Sequence, residues 1–324
     1  MITPGQVHLA YELFLGRPAE SDDVVNNLCQ NVHSLPKLRE LFLQSPEFAK
    51  GAAAALGMPA VARQRHPFTL PRIPVEIAAS EADLQAMFQR TQAAWEHLGQ
   101  TEPYWSVVTQ PQYRQEQIEA HMEPFYASGN YTSQLFLAAL RRAGIAPASL
   151  HTCLEVGCGV GRVTTSLAGA FAQVIAADVS GHHLAIARRH LADHGVNNVH
   201  WQHWRQPQDL LALPELDAVL SVITLQHNPP PVMAWMLTQL LGRLKPGGVA
   251  YIQLPTYRNG YLFEVARYLN TPATSSLEMH FLPQADVFRL AQAAGCDCLE
   301  VREDGMVGDE DRMLSNTFLF QKRT

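Results

Sequence analysis

Gly157, Gly159 and Gly161 stand at alternate positions directly after the apolar run Cys153 to Val156, in the stretch CLEVGCGVGRVTTSL. Glycines between a strand and a helix let the backbone approach a ligand that side chains would exclude. Asp178 ends the next apolar run and supplies a carboxylate able to accept both hydrogen bonds of a ribose diol. Together these residues describe a nucleotide-type site. A dinucleotide expects G-x-G-x-x-G, whose third glycine permits close packing of helix on strand. Here the spacing is G-x-G-x-G, and Arg162 fills that third position. The match to NAD is imperfect, and an NAD-dependent oxidoreductase stays open as an alternative.

The elements that must position these residues follow a regular alternation. Apolar runs at Cys153 to Val156, Val174 to Asp178, Val199 to His203, Leu216 to Ile223 and Val249 to Leu254 read as strands, with helical stretches around 162–171, 181–194 and 231–244 between them. Strands alternating with helices imply an α/β fold, a parallel sheet covered on both faces. CDCLEVREDG and SNTFLFQK close the chain as two strands without an intervening helix, which predicts an antiparallel hairpin at the end of the sheet. Domain boundaries are expected as a helical module over 1–52, a Pro-punctuated linker over 53–79, a helical extension over 80–149 and the α/β domain over 150–324.

The first fifty residues carry helical spacing, a Gly16-Arg17-Pro18 stop, helix-start signals at Ser21 to Asp23, a further helix from Pro36 and a Ser45-Pro46 break. The chain has 324 residues with a formal net charge of -6, a balance that does not suit a polyanion-binding surface, so no nucleic-acid partner is expected. Five cysteines form neither an even disulfide framework nor a zinc pattern, and Cys296 and Cys298 are expected to share a buried strand face. No apolar run approaches about 18 residues and no basic leader precedes one, which predicts a cytoplasmic protein without membrane insertion. His182, His183, His190 and His194 offer adjacent or i,i+4 pairs without a third ligand, and no metal is expected.

The glycine stretch resembles motif I of the class I S-adenosylmethionine-dependent methyltransferases, with Glu155 in the acidic place two residues before Gly157. LDAVLSVITLQHNPPP and LLGRLKPGGVAYIQLP are similar to that family's fourth strand and loop, and to its next helix, Pro-Gly-Gly turn and fifth strand. The resemblance covers about 150–324. It implies a Rossmann-like seven-stranded, mainly parallel sheet with a terminal antiparallel hairpin, and S-adenosyl-L-methionine as cofactor. Glu155, Gly157, Cys158, Gly159, Gly161, Arg162, Asp178, Val179, Gln202, Trp204 and Gln226 would line the cofactor, with Tyr126 closing over its methionine end and Arg162 pairing with its carboxylate. Gln202 and Trp204 stand for the adenine contact, since the acidic residue usual there is absent before Asp209.

On the acceptor side the resemblance points to His227 as the base of an O-methylation, with His280 as a second candidate. The connection over 255–283 is longer than usual and carries Tyr257, Arg258, Tyr261, Glu278 and His280, which predicts a wall or lid over the acceptor. Tyr11, Leu15-Gly16-Arg17-Pro18 and Ser45-Pro46-Glu47-Phe48 resemble a small helical module often attached to bacterial glycosyltransferases and polysaccharide-cluster methyltransferases. That likeness implies a small or sugar-related acceptor, a place in polysaccharide biosynthesis, and a possible protein partner for the module. A non-catalytic binding module of the same fold is the other alternative.

Overall fold

The computed structural model describes residues 2–45, 47–48, 71–273, 277–307 and 313–324, which fall into two units, Met1–Phe68 and Thr69–Thr324. The predicted break at Pro46, the 52/53 boundary and the first part of the predicted linker lie outside the described residues.

In the first unit, α1 (Pro4–Ala10) continues as a π-type turn over Tyr11–Leu15 and stops at Gly16, whose φ of 67° only glycine adopts freely. Ser21 and Ser34 cap α2 (Asp22–Asn31) and α3 (Leu35–Leu43) by accepting from the third backbone N–H of each helix. Val7, Tyr11, Val25, Leu38 and Phe42 form the core of this unit. Arg17 grips Glu47 through Nε and Nη2 at 2.5 and 2.8 Å, and it lies over the Tyr11 ring. Arg17 and Glu47 of the module-like motif thus form a fork-shaped ion pair, with the Tyr11 ring against the guanidinium.

The second unit is built on a seven-stranded sheet in the order β3-β2-β1-β4-β5-β7-β6. Its strands are β1 (Thr152–Val156), β2 (Gln173–Asp178), β3 (Val199–His203), β4 (Leu216–Ser221), β5 (Leu244–Arg258), β6 (Cys296–Asp304) and β7 (Met313–Lys322). All neighbouring pairs from β3 to β5 are parallel, whereas β7 lies antiparallel between β5 and β6. This is the Rossmann-like sheet with a terminal antiparallel hairpin that the sequence predicts. Strand β5 is longer than expected: Leu244 already pairs with Leu216, and the Pro246-Gly247-Gly248 turn is absorbed into the strand as an irregularity.

Helices cover both faces. They are α4 (Glu81–Thr101), α5 (Met122–Ala127), α6 (Gly129–Arg142), α7 (Thr164–Ala170), α8 (Gly181–Asp193), α9 (Pro230–Gly242), α10 (Val265–Asn270) and α11 (Gln284–Ala293). Helix α9 begins at a proline, which needs no N–H there, and buries Val232, Met233, Met236, Leu237, Leu240 and Leu241 against the sheet. Each such side chain stabilises the fold by about 1.5–3 kcal/mol.

Residues 71–79, which the sequence assigns to a linker, run as an extended strap beside the 255–283 connection. Val75 bridges Phe263 in parallel, with Glu76 N donating to Phe263 O and Phe263 N to Pro74 O, both near 3.0 Å. Cys296 and Cys298 pair in phase with Lys322 and Phe320 and so share a strand face, but only Cys296 is buried, contrary to the buried face expected. Strand β6 is the edge of the sheet and is exposed over most of its length.

Candidate active site

A cleft of about 280 Å³ opens beyond the carboxyl ends of β1, β2 and β4, where the strand order reverses. Its floor is the glycine turn. Gly157 and Gly159 have φ of 71° and 53°, and a Cβ on them would lie 2.3 Å from Thr224 Cγ2 and 2.7 Å from Val107 Cγ2. A side chain at Gly161 would meet Leu191 and Ala187 of α8, so this glycine permits helix packing rather than lining the cleft.

Two carboxyl groups and one guanidinium stand in the cleft. Asp178, buried, accepts from Gly159 N and Ser180 N at 2.8 Å each, which fixes its plane while each oxygen keeps a second lone pair. Glu155 accepts from Thr164 Oγ1 at 2.6 Å. Burial pushes its carboxyl up to about 7, with the Asp178 charge adding to the rise and Thr164 and Arg162 opposing it. Arg162 donates to Ser128 Oγ at 3.2 Å, and its buried Nε has no partner among the described residues. Burial lowers its pKa, as expected of a cation waiting for an anion.

These groups fit S-adenosyl-L-methionine. Carboxylates suit its sulfonium, ammonium and ribose, and Arg162, with its unpaired Nε, suits its carboxylate. They fit a dinucleotide poorly, because Glu155 adds a carboxyl to the cleft in which such a glycine turn would cradle an anionic pyrophosphate through its backbone N–H groups.

Of the residues expected at the cofactor, Glu155, Gly157, Cys158, Gly159, Arg162, Asp178, Val179 and Trp204 line the cleft. Gln202 stands aside and accepts from Trp204 Nε1, and Gln226 is buried with its side-chain oxygen unpartnered. Tyr126 donates to Val160 O and stacks on His190, while its neighbours Tyr131 and Thr132 reach the cleft instead. The α5–α6 segment is brought there by Gly129, whose hydrogen faces Arg162 O where a Cβ would sit 2.0 Å away.

His227 lines the acceptor side with its ring edge-on to Trp95, centroids 5.0 Å apart. Its Nδ1 lies 2.8 Å from the backbone carbonyl of Glu278. A carbonyl only accepts, so Nδ1 carries the hydrogen and Nε2 the lone pair. Burial lowers the imidazole to about 4, with the His280 charge adding to this and the Glu278 and Ile223 carbonyls opposing it.

His280, Tyr257, Arg258 and Tyr261 are not brought to the cleft, and Glu278 borders only a small adjoining space. Tyr257 and Arg258 end β5, paired with Leu314 and Met313 of β7, and the segment that follows is tied down by Arg90 of α4. Arg90 donates to the carbonyls of Tyr268, Thr271 and Pro272 and pairs with Glu278 at 3.2 Å, which draws the 255–283 connection against α4. Glu278 Oε2 then takes Tyr268 Oη at 2.7 Å and His280 Nε2 at 3.1 Å, and Tyr261 Oη meets His280 Nδ1 at 2.9 Å. Burial works to raise the Glu278 carboxyl, but these donors and Arg90 overcome it and hold it at about 2. Tyr257 reaches the strap through Pro71 O, and Arg258 is exposed.

Trp95, Thr91, Ser106, Val107, Ile223, Met236 and Met306 also line the cleft. No motif pointed to them. The first four come from the segment before β1, and only their position over the glycine turn gives them a role.

The fold and the cleft define a Rossmann-like transferase with a nucleoside cofactor. A family model described as "Methyltransferase domain" matches residues 153–248. A ubiquinone biosynthesis O-methyltransferase of Thiobacillus denitrificans is 31% identical over 162 residues, 48% of this chain and 68% of that protein. One from Aeromonas salmonicida is 29% identical over 174 residues, 52% of this chain and 70% of that protein. The solved structure of N-methyltransferase NodS from Bradyrhizobium japonicum, in complex with S-adenosyl-L-homocysteine, is similar at a TM-score of 0.48 and 15% identity, over 72% of this chain and all of that one. The chain belongs to the class I S-adenosylmethionine-dependent methyltransferases.

Proposed function

We propose that this methyltransferase acts on the oxygen of an uncharged, phenolic small molecule, with His227 as the general base. The observation that carries the reading is the His227 imidazole, neutral and held by Glu278 O in the tautomer that keeps a lone pair on Nε2. When bound, S-adenosyl-L-methionine supplies the methyl group. Glu155, Asp178 and Arg162 would hold it at the glycine turn, and Trp95, Val222, Met236 and Met306 would exclude water from the acceptor.

The weakness of His227 as a base limits the acceptors it can serve. With the imidazole lowered to about 4, the gap to a phenol, near 10, is much smaller than the gap to an aliphatic alcohol, near water at about 15.7. The wall beside it is aromatic and apolar, and Arg162, among the described residues the one cationic side chain in the cleft, stands by the glycine turn, which disfavours a nucleotide-sugar acceptor. The names of the O-methyltransferase relatives agree with transfer to oxygen. A glycan-related acceptor, and a protein partner for the helical unit, rest on the resemblance of residues 1–52 alone.

The test is turnover of labelled S-adenosyl-L-methionine with catechol as the probe, in the wild type and in His227→Asn. Methylated catechol from the wild type, lost in the variant while S-adenosyl-L-homocysteine still binds, supports the reading. Transfer to a sugar hydroxyl but not to catechol would sink it.

A further inference from the structure

Among the described residues, Ile223 is the one non-glycine with a left-handed backbone, at φ 54°. A β-branched residue is the costliest kind to hold there, because both Cβ substituents crowd the flanking peptide groups. It is also large, apolar and 42% exposed, and it lines the same cleft as Trp95, Met306 and His227.

The strain is held from two sides. Ile223 N donates to Gln253 Oε1 at 2.7 Å, and Gln253 Nε2 donates to Ser315 Oγ at 2.6 Å; Gln253 and Ser315 are fully buried. On the other side, Thr224 Oγ1 donates to Val156 O at 3.0 Å, and His227 N donates to Thr224 O at 3.1 Å. A glycine or asparagine would satisfy the same backbone without strain. The isoleucine side chain gains little by burial, so folding alone does not account for it.

We infer that Ile223 is a specificity-determining residue, whose strained backbone holds an apolar side chain over the mouth of the acceptor site, where it packs on an apolar substituent next to the reacting hydroxyl. The inference rests on the acceptor reading above. It assigns the outer part of the acceptor an alkyl character, whereas that reading concerns only the hydroxyl and its proton.

Calorimetric titration of the protein loaded with S-adenosyl-L-homocysteine separates the two, using catechol and 3-hexylcatechol, whose chain is ortho to a hydroxyl, as probes on the wild type, Ile223→Gly and Ile223→Ala. Both variants should bind 3-hexylcatechol at least fivefold more weakly, with catechol and S-adenosyl-L-homocysteine affinities changed less than twofold. Ile223→Gly should also melt no lower than the wild type and above Ile223→Ala, which keeps the strained backbone. Equal losses for both probes, or a lower melting point of Ile223→Gly with weakened S-adenosyl-L-homocysteine binding, would make Ile223 a packing residue and overturn the inference. A wild type that binds neither probe overturns it together with the phenol reading. Binding without methyl transfer removes only the base assigned to His227 and leaves the role of Ile223 to stand on the affinities.

Discussion

The imidazole of His227 donates its Nδ1 hydrogen across 2.8 Å to the main-chain carbonyl of Glu278, a residue fifty-one positions later in the chain. The side chain of Glu278 faces the other way, into a cluster with Arg90, Tyr268 and His280. One residue therefore joins the candidate base to the ion cluster behind it, through its backbone on one side and its carboxylate on the other.

Replacing His227 removes the lone pair and leaves the cofactor cradle untouched. His227→Asn is expected to lower kcat by about 10²–10⁴, with S-adenosyl-L-homocysteine affinity within twofold of wild type by calorimetry. With its pKa at about 4, this group sets no limb of the rate profile above pH 5. A rate that climbs between pH 6 and 7 in proportion to imidazole deprotonation would contradict the assignment.

Glu155 governs cofactor binding with the opposite sign of shift. Its carboxyl is raised from 4.5 to about 7, so it is largely protonated at pH 6 and largely ionised at pH 8. A cationic cofactor favours the ionised form, and its affinity should rise about tenfold over that interval by linkage. Glu155→Gln should flatten the dependence in titrations with S-adenosyl-L-methionine. Because the folded carboxyl binds its proton more tightly than the unfolded one, stability without cofactor is expected to fall as pH rises through 7.

The Glu278 cluster acts on stability. Its carboxyl is held at about 2, below the unfolded 4.5, so the contribution is present above 4.5 and is lost as pH falls toward 2. Glu278→Gln and Arg90→Met should each lower the thermal midpoint at pH 7, and Glu278→Gln should shrink the acid-induced loss between pH 4.5 and 2. Scanning calorimetry across that range checks both. An unchanged acid limb in Glu278→Gln would show that the cluster contributes nothing.

Gly157→Ala places a Cβ 2.3 Å from Thr224 Cγ2 in a left-handed backbone. The expected cost is about 1–3 kcal/mol of stability, together with a marked loss of S-adenosyl-L-homocysteine binding. Adding Thr224→Gly relieves the clash and should restore part of the stability, which denaturant titration would show. Equal stability of Gly157→Ala and wild type would mean that the turn is looser than drawn.

The sheet was legible because β1, β2, β4 and β5 are buried on both faces and read as continuous apolar runs. The cofactor side was legible for a related reason, since glycines and carboxylates at strand ends have few other uses. The acceptor side was not. Trp95 and Ser106 reach it from a segment whose helical spacing looks like ordinary packing, and only the tertiary fold sets them over the glycine turn. Tyr257, Tyr261 and His280 carry polar groups suited to chemistry, yet Tyr257 is held in β5 and reaches the strap, while Tyr261 and His280 join the Glu278 cluster that Arg90 ties to α4. The exposure of Cys298 follows from the place of β6 at the edge of the sheet, which alternation along one strand does not announce.

Strand β7 follows β5 and β6 in the chain, yet it lies between them in the sheet. While the chain is being made, β5 presents an open edge and β6 has no neighbour until residues 313–322 arrive. Cooperative closure is therefore a late event, and a nascent chain lacking that strand exposes a bare, apolar sheet edge of the kind that chaperones bind and that self-associates.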